Sequence, residues 1–163
     1  MNDKILLRAA GFCACLAALL HIPGLGGDWS ETSKQQLYLV IDVLLTFALF
    51  GLFAATPRFR TVLGTLGFIG AIIALLVIRT GPRLIGGGEV YTVGSTVFTV
   101  SLAIASLSLV REQGLVRYAA IAWIVSLLFG LAAQTVGMLI VGAIAFFCVG
   151  FFIAGVALLR GKP

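Results

Sequence analysis

The sequence predicts an all-α membrane protein, a bundle of about six transmembrane helices that forms a single integral domain over residues 1–163. Of the 163 residues, 61% are hydrophobic and 10% are charged, and the mean hydropathy is +1.16. Soluble domains carry about 25% charged residues. A soluble domain of this size has too much surface for its volume to hide so many apolar side chains. Lipid is therefore the expected surroundings of most of the chain.

Six apolar stretches reach the roughly 20 residues that a transmembrane helix needs. They cover approximately residues 5–22, 36–56, 61–79, 90–110, 117–135 and 137–159. Only Gln134, Thr135 and Gly137 interrupt the apolar run between the last two. A five-helix arrangement with one broken helix is therefore the alternative.

The basic residues predict that both chain termini lie in the cytoplasm. Three of the eleven Lys and Arg residues, Lys34, Arg79 and Arg83, then lie on the opposite side. The other eight lie on the cytoplasmic side, which is the bias that orients membrane proteins. These eight are Lys4, Arg8, Arg58, Arg60, Arg111, Arg117, Arg160 and Lys162. The net charge of +5 needs no nucleic-acid partner to explain it.

The N-terminal segment resembles a signal peptide, because Lys4 and Arg8 precede an apolar run. The end of that run, near His21, has no small-x-small cleavage pattern. We therefore expect it to stay as the first span. Short loops and the absence of glycosylation signals are typical of bacterial multi-pass proteins, so the expected location is a bacterial inner membrane.

The second span contains the only acidic residue placed inside an apolar segment, Asp42. Thr46, four residues later, shares its helix face. We expect this helix to begin at a capping box formed by Ser33 and Gln36.

The ionisable residues near membrane depth gather towards the outer side under this topology: His21, Asp42, Arg79, Arg83 and Glu89. Because desolvating a charge is expensive, such residues are candidates for function. One interpretation is structural: an ion pair between Asp42 and Arg79 locks the second and third spans together. Another is proton coupling, with Asp42 and His21 as a relay.

A third interpretation is an anion site between the third and fourth spans. Arg79 and Arg83 supply positive charge, and a glycine loop exposes backbone amides before a helix N-terminus, where anions are favoured. The loop consists of Gly86, Gly87 and Gly88. Against this site, Glu89 can satisfy the helix end itself.

The fourth span carries a polar seam. Thr92, Ser95, Thr99 and Ser106 fall on one helical face, which Leu102 interrupts. Such hydroxyls often bond back to their own helix or join neighbouring helices. The alternative is a polar path through most of the membrane.

Few residues are available for catalysis or for a cofactor. The chain has one His, and the only plausible haem ligands besides the cysteines are His21 and Met138. Cys13, Cys15 and Cys148 lack the spacing of a zinc site and are expected to be free buried thiols. We therefore expect no catalytic residues, no metal and no cofactor, and an enzyme is the weakest functional class.

Two further patterns concern helix packing. Gly64, Gly67 and Gly70 place small residues along the third span, which allows close approach of another helix. Residues 49–56 and 128–135 agree at six of eight positions, and residues 67–76 resemble residues 150–159. These matches suggest an inverted three-plus-three repeat, as in several transporter folds.

Two functions follow from these patterns. The first is a non-catalytic accessory, scaffold or assembly protein that docks membrane-protein partners, or further copies of itself, through its small-residue faces. The second is a small transporter or channel-like protein that uses Asp42 and the polar seam. A closed pair between Asp42 and Arg79 would favour the first, and a hydrated cavity beside Asp42 would favour the second.

Overall fold

The computed structural model describes residues 3–24, 29–81 and 89–161, and in these ranges it consists of helices joined by short turns, with no strand. Six α-helices are present, each long and apolar enough to cross a membrane, as in a multi-pass membrane protein. They are α1 (Asp3–Gly24), α2 (Glu31–Ala55), α3 (Val62–Gly81), α4 (Glu89–Leu109), α5 (Leu115–Ala132) and α6 (Leu139–Leu159). A short 3-10 helix, Pro57–Arg60, joins α2 to α3. Because α5 and α6 are separate helices, the five-helix alternative does not hold.

The helices form a ring. Extensive packing joins α3 to α4, α5 to α6, α6 to α1 and α1 to α2, and α4 also packs on α5. The ring closes between α2 and α3, which touch far less than the other neighbours. This side of the ring is therefore the least tightly packed, and we call it the α2–α3 seam.

Small residues make the closest helix contacts within the chain. A Cβ atom added to Gly67 on α3 would lie 2.5 Å from the backbone nitrogen of Ala105 on α4. One added to Gly11 on α1 would lie 2.7 Å from the carbonyl oxygen of Gly155 on α6. Only glycine permits this approach. The small-residue face expected to dock a partner helix is thus covered by the same chain, at Gly67 and Gly70 by α4 and at Gly64 by Phe59.

The N-terminus of α2 differs from the expected capping box. Ser30 is the N-cap, and its side chain accepts a hydrogen bond of 3.2 Å from the backbone N–H of Ser33. Ser33 therefore lies inside the helix, so the predicted cap was wrong. Glu31 in the first turn favours the earlier start, because its charge stabilises a helix N-terminus. It also pairs with Lys34 at 3.7 Å.

The end of the bundle that holds the chain termini is closed. Phe59 of the 3-10 helix is fully buried and packs edge-on against Phe53 and Phe68, which stack on each other. Arg60 donates hydrogen bonds to the carbonyl oxygens of Phe53 and Ala54, in the last turn of α2. This basic turn therefore satisfies carbonyls that the helix leaves unpaired at its end.

Candidate ligand cavity

A cavity of about 430 Å³ lies inside the ring, at the end opposite the chain termini. All six helices contribute to its wall, since it sits where α1, α3 and α5 end and where α2, α4 and α6 begin. Its polar lining residues are His21, Tyr38, Asp42, Arg79, Thr92, Ser95, Thr96, Thr99, Ser126 and Gln134. Exposed residues such as Thr92 and Gln134 are among them, so the cavity reaches the surface.

Asp42 on α2 and Arg79 on α3 form an ion pair at the wall of this cavity. Nε of Arg79 donates to Oδ2 of Asp42, and the two side chains are 27% and 15% exposed. Within the described residues this is the only hydrogen bond that either side chain makes. Among the described residues, the two terminal amino groups of the guanidinium and Oδ1 of the carboxylate have no hydrogen-bond partner, although each could make one.

His21 near the end of α1 lines the cavity, and a contact with its own helix fixes its ring. Its Nδ1 lies 2.8 Å from the carbonyl oxygen of Ala17. A carbonyl only accepts, so Nδ1 carries a proton; when the ring is neutral, Nε2 keeps its lone pair. The ring packs edge-on against Phe147 with centroids 5.5 Å apart. Its position fits a binding role as well as the proton relay considered above.

Only the outer part of the predicted polar seam of α4 lines the cavity. Thr92, Ser95 and Thr99 line the cavity, together with Thr96. Thr96 and Thr99 each donate, at 2.9 Å, to a carbonyl four residues earlier in α4. Their oxygens therefore face the cavity mainly as acceptors.

The other hydroxyls predicted to form the polar path, on α4 and α2, lie outside the cavity wall. Ser106 is fully buried and donates to the carbonyl oxygen of Leu102 at 2.8 Å. Thr46 on α2 donates to the carbonyl oxygen of Asp42 at 2.8 Å. The continuous polar path is thus interrupted, because both hydroxyls serve their own helices.

A layer of large, fully buried side chains closes the cavity towards the chain termini. Leu49, Leu102, Trp123 and Phe151 come from four different helices, and each lies about one turn deeper than a residue of the cavity wall. Trp123 and Phe151 pack with ring centroids 5.0 Å apart. The cavity therefore opens at one end only.

The wall opposite the ion pair is largely apolar. It is built from α5 and α6, with Ser126 donating to the carbonyl oxygen of Ala143 at 2.8 Å. The apolar residues on this wall are Leu127, Leu131, Ile140, Ile144 and Phe147. The ionisable side chains of the cavity accordingly lie on α1 to α3, and the α5–α6 side is mostly apolar. The first four helices also add apolar surface, from Leu45, Leu75, Ile78 and Phe98.

Some predicted residues lie outside the part of the chain that the structure describes, and some site residues were not predicted. Arg83 and the loop glycines Gly86, Gly87 and Gly88 lie outside the described residues, and Glu89 begins α4. Thr96 was missed although it lies four residues after Thr92 and three before Thr99, a spacing that places it on the same helix face. Gln134 was not among the predicted site residues, although a polar residue at the end of a span can indicate a site.

Comparison with known proteins gives no match: no family model, no curated protein and no solved structure is similar to this chain.

Proposed function

We propose that this protein is a small membrane carrier that binds a solute in the cavity between its six helices. The observation that supports this function best is the position of the Asp42–Arg79 pair on the cavity wall. Charged groups at membrane depth that face a cavity typically mark a solute or ion pathway. A pair serving only to join α2 to α3 has no need of a cavity beside it.

The shape of the cavity favours a carrier over an open channel. The buried layer under the cavity blocks a continuous path, as in one state of an alternating-access cycle. Such a cycle needs a part of the fold that moves at low cost. The α2–α3 seam suits this role, because few residues of its two helices are in contact. One ion pair spans it on the cavity side, and Phe68 of α3 packs on Phe50 and Phe53 of α2 at the other end.

The orientation and the cellular location belong to the same proposal. With both termini in the cytoplasm, the cavity opens to the outside of a cell membrane, for which a bacterial inner membrane is our expectation. The inverted repeat would suit a carrier, since such folds place their sites between repeats. The sequence matches support it, although α5 and α6 pack closely where α2 and α3 do not.

A non-catalytic accessory or assembly role is the second candidate. It is favoured by an apolar groove of about 260 Å³ between α1 and α6, on the outside of the ring. The groove is lined by Ala18, Leu19, Ile22, Cys148, Val149 and Phe152. A helix of a membrane-protein partner or of a second copy would fit there. Gly67, the residue that first suggested docking, gives this role no support because α4 covers it.

Thiol labelling tests the carrier. In a background with Cys13, Cys15 and Cys148 replaced by Ala, Thr96→Cys and Ser106→Cys are made separately. A charged, membrane-impermeant thiol reagent is added to the cavity side of proteoliposomes. We expect rapid labelling at position 96 and none at position 106, below the buried layer. Labelling at neither position in folded protein would contradict the carrier.

The proposed movement at the α2–α3 seam is tested in the same cysteine-free background with Asp42→Asn added. Loss of the ion pair loosens the α2–α3 seam, so we expect labelling at position 106 to increase from either side of the membrane. If Asp42→Asn changes neither labelling nor any measurable flux, the pair is structural and the accessory role is preferred.

A further inference from the structure

We propose that the ligand of this cavity is a compact zwitterion with an apolar side group, of the chemical class of the α-amino acids. This inference rests on the proposed carrier function and names its substrate class. It follows from the charge balance of the wall, from the geometry of the ion pair and from the division of the wall into polar and apolar sides.

The charge balance selects a ligand without net charge. Among the described residues that line the cavity, Asp42 carries one negative charge and Arg79 one positive charge. A singly charged ligand would neutralise one of them and leave the other without its partner at membrane depth, which is costly. A zwitterion brings a partner for each.

The ion-pair geometry leaves room for both ligand charges. Arg79 meets Asp42 through Nε alone, so its terminal amino groups can bind a carboxylate in the fork geometry that guanidinium groups prefer. Oδ1 of Asp42 can accept from an ammonium group. The ligand then spans the two helices and supplements or replaces their direct contact.

The remaining polar atoms favour one orientation of the ligand. Nε2 of His21 and the hydroxyl oxygens of Thr96 and Thr99 are acceptors, for the reasons given above. An ammonium group has three donors and no acceptor. We therefore place the ammonium among Asp42, His21 and α4, and the carboxylate at Arg79.

The apolar wall holds the rest of the ligand. Leu131 and Ile144 line the α5–α6 side of the cavity, and Phe147 of the same side packs against His21. These side chains exclude water from a hydrocarbon side group. A volume of about 430 Å³ falls within the range of roughly 300 to 1,000 Å³ found for small-molecule sites. An acyl chain alone has no charged group to place against Asp42 or Arg79.

The test compares matched compounds on the full-length protein in nanodiscs by calorimetry. One set is L-leucine, 3-methylbutylamine and 4-methylpentanoate, and the other is L-phenylalanine, 2-phenylethylamine and 3-phenylpropanoate. Within each set the compounds differ only in which charged group is present. We expect the zwitterion of at least one set to bind at least tenfold more tightly than its amine and its acid.

Variants link this binding to the ion pair. Arg79→Gln and Asp42→Asn should each weaken zwitterion binding at least tenfold, whereas Ser106→Ala, below the buried layer, should not change it. Asp42→Glu keeps the charge and should restore part of the binding, which separates a ligand contact from a folding defect. Unchanged binding in Arg79→Gln would overturn the assignment.

Protection of the Thr96→Cys variant from the thiol reagent separates the two proposals. Protection by a zwitterion, without protection by the matched amine or acid, supports both the carrier function and the zwitterionic ligand. Equal protection by an amine or an acid overturns the zwitterion and leaves the carrier standing. Labelling that none of the six compounds slows overturns the zwitterion class, and absence of labelling contradicts the carrier itself.

Discussion

Arg79 on α3 donates through Nε to Oδ2 of Asp42 on α2, and this contact bridges the side of the helix ring where neighbouring helices pack least. The same two side chains line the cavity. A closed Asp42–Arg79 pair favours a scaffold and a cavity beside Asp42 favours a transporter, and the structure has both the pair and the cavity. The pair therefore has to be tested for stability and for binding separately.

Removing one partner of the pair should destabilise the fold more than removing both. Asp42→Asn leaves a half-buried guanidinium without its counter-charge, and Arg79→Gln does the same to the carboxylate. Breaking a fully buried pair costs about 3–5 kcal/mol, so we expect about 1–3 kcal/mol here, where the side chains are partly exposed. The double variant should recover much of this loss.

The free energy of unfolding is measured in mixed micelles for the wild type, the two single variants and the double variant, which together form a double-mutant cycle. Strictly additive effects would show that Asp42 and Arg79 do not stabilise each other.

The sequence predicts the depth at which the site residues lie in the bundle, but it does not predict the cavity between them. Counting along the spans brings Asp42, Arg79 and His21 to the same end of the bundle, and the structure places all three on one wall. The cavity depends on how six helices leave a gap, which no local pattern encodes. The prediction of the N-cap of α2 was wrong for a local reason: Ser30 and Ser33 are both suitable N-cap residues, and Glu31 favours the earlier one.

The glycines of α3 give a second prediction. A Cβ at Gly67 would lie 2.5 Å from the backbone nitrogen of Ala105, so Gly67→Ala must push α3 away from α4. Overpacking of this kind costs about 1–3 kcal/mol. Gly130→Ala is the matched control, because its Cβ would meet only the Cβ of Ala143, at 3.9 Å. It should be neutral or stabilising by up to about 1 kcal/mol, the helix preference of Ala over Gly.

Both variants are compared by thermal unfolding and by size-exclusion chromatography. If Gly67→Ala changes the oligomeric state while leaving stability intact, α3 docks a partner after all and its packing against α4 is secondary.

The turn between α2 and α3 gives a third prediction. Arg60 donates to the carbonyl oxygens of Phe53 and Ala54 at the C-terminus of α2, where positive charge is favourable. Arg60→Gln should lower the unfolding free energy by about 0.5–1 kcal/mol, the usual size of a charge effect at a helix end. Arg117→Gln is the control, because Arg117 is exposed and lies near the start of α5. A larger loss at Arg117 would contradict the capping role of Arg60.

The buried layer under the cavity can be followed through its tryptophan. Trp123 is 1% exposed, and Trp29, the other tryptophan, is 42% exposed. In a Trp29→Phe background we therefore expect emission at short wavelength and little quenching by acrylamide. A Cβ at Gly150 would lie 2.6 Å from Cδ1 of the Trp123 indole and 3.0 Å from Cε2. Gly150→Ala must therefore displace the ring or separate α5 from α6.

Displacing the indole should open the layer that separates the cavity from the closed end. We expect Gly150→Ala to shift the emission to longer wavelength and to increase acrylamide quenching, whereas Gly130→Ala on α5 should change neither. Labelling of the Ser106→Cys variant should rise in parallel, because water reaches the residues below the layer. An unchanged spectrum together with unchanged labelling would mean that α5 and α6 absorb the added methyl group elsewhere, and that Trp123 does not seal the cavity.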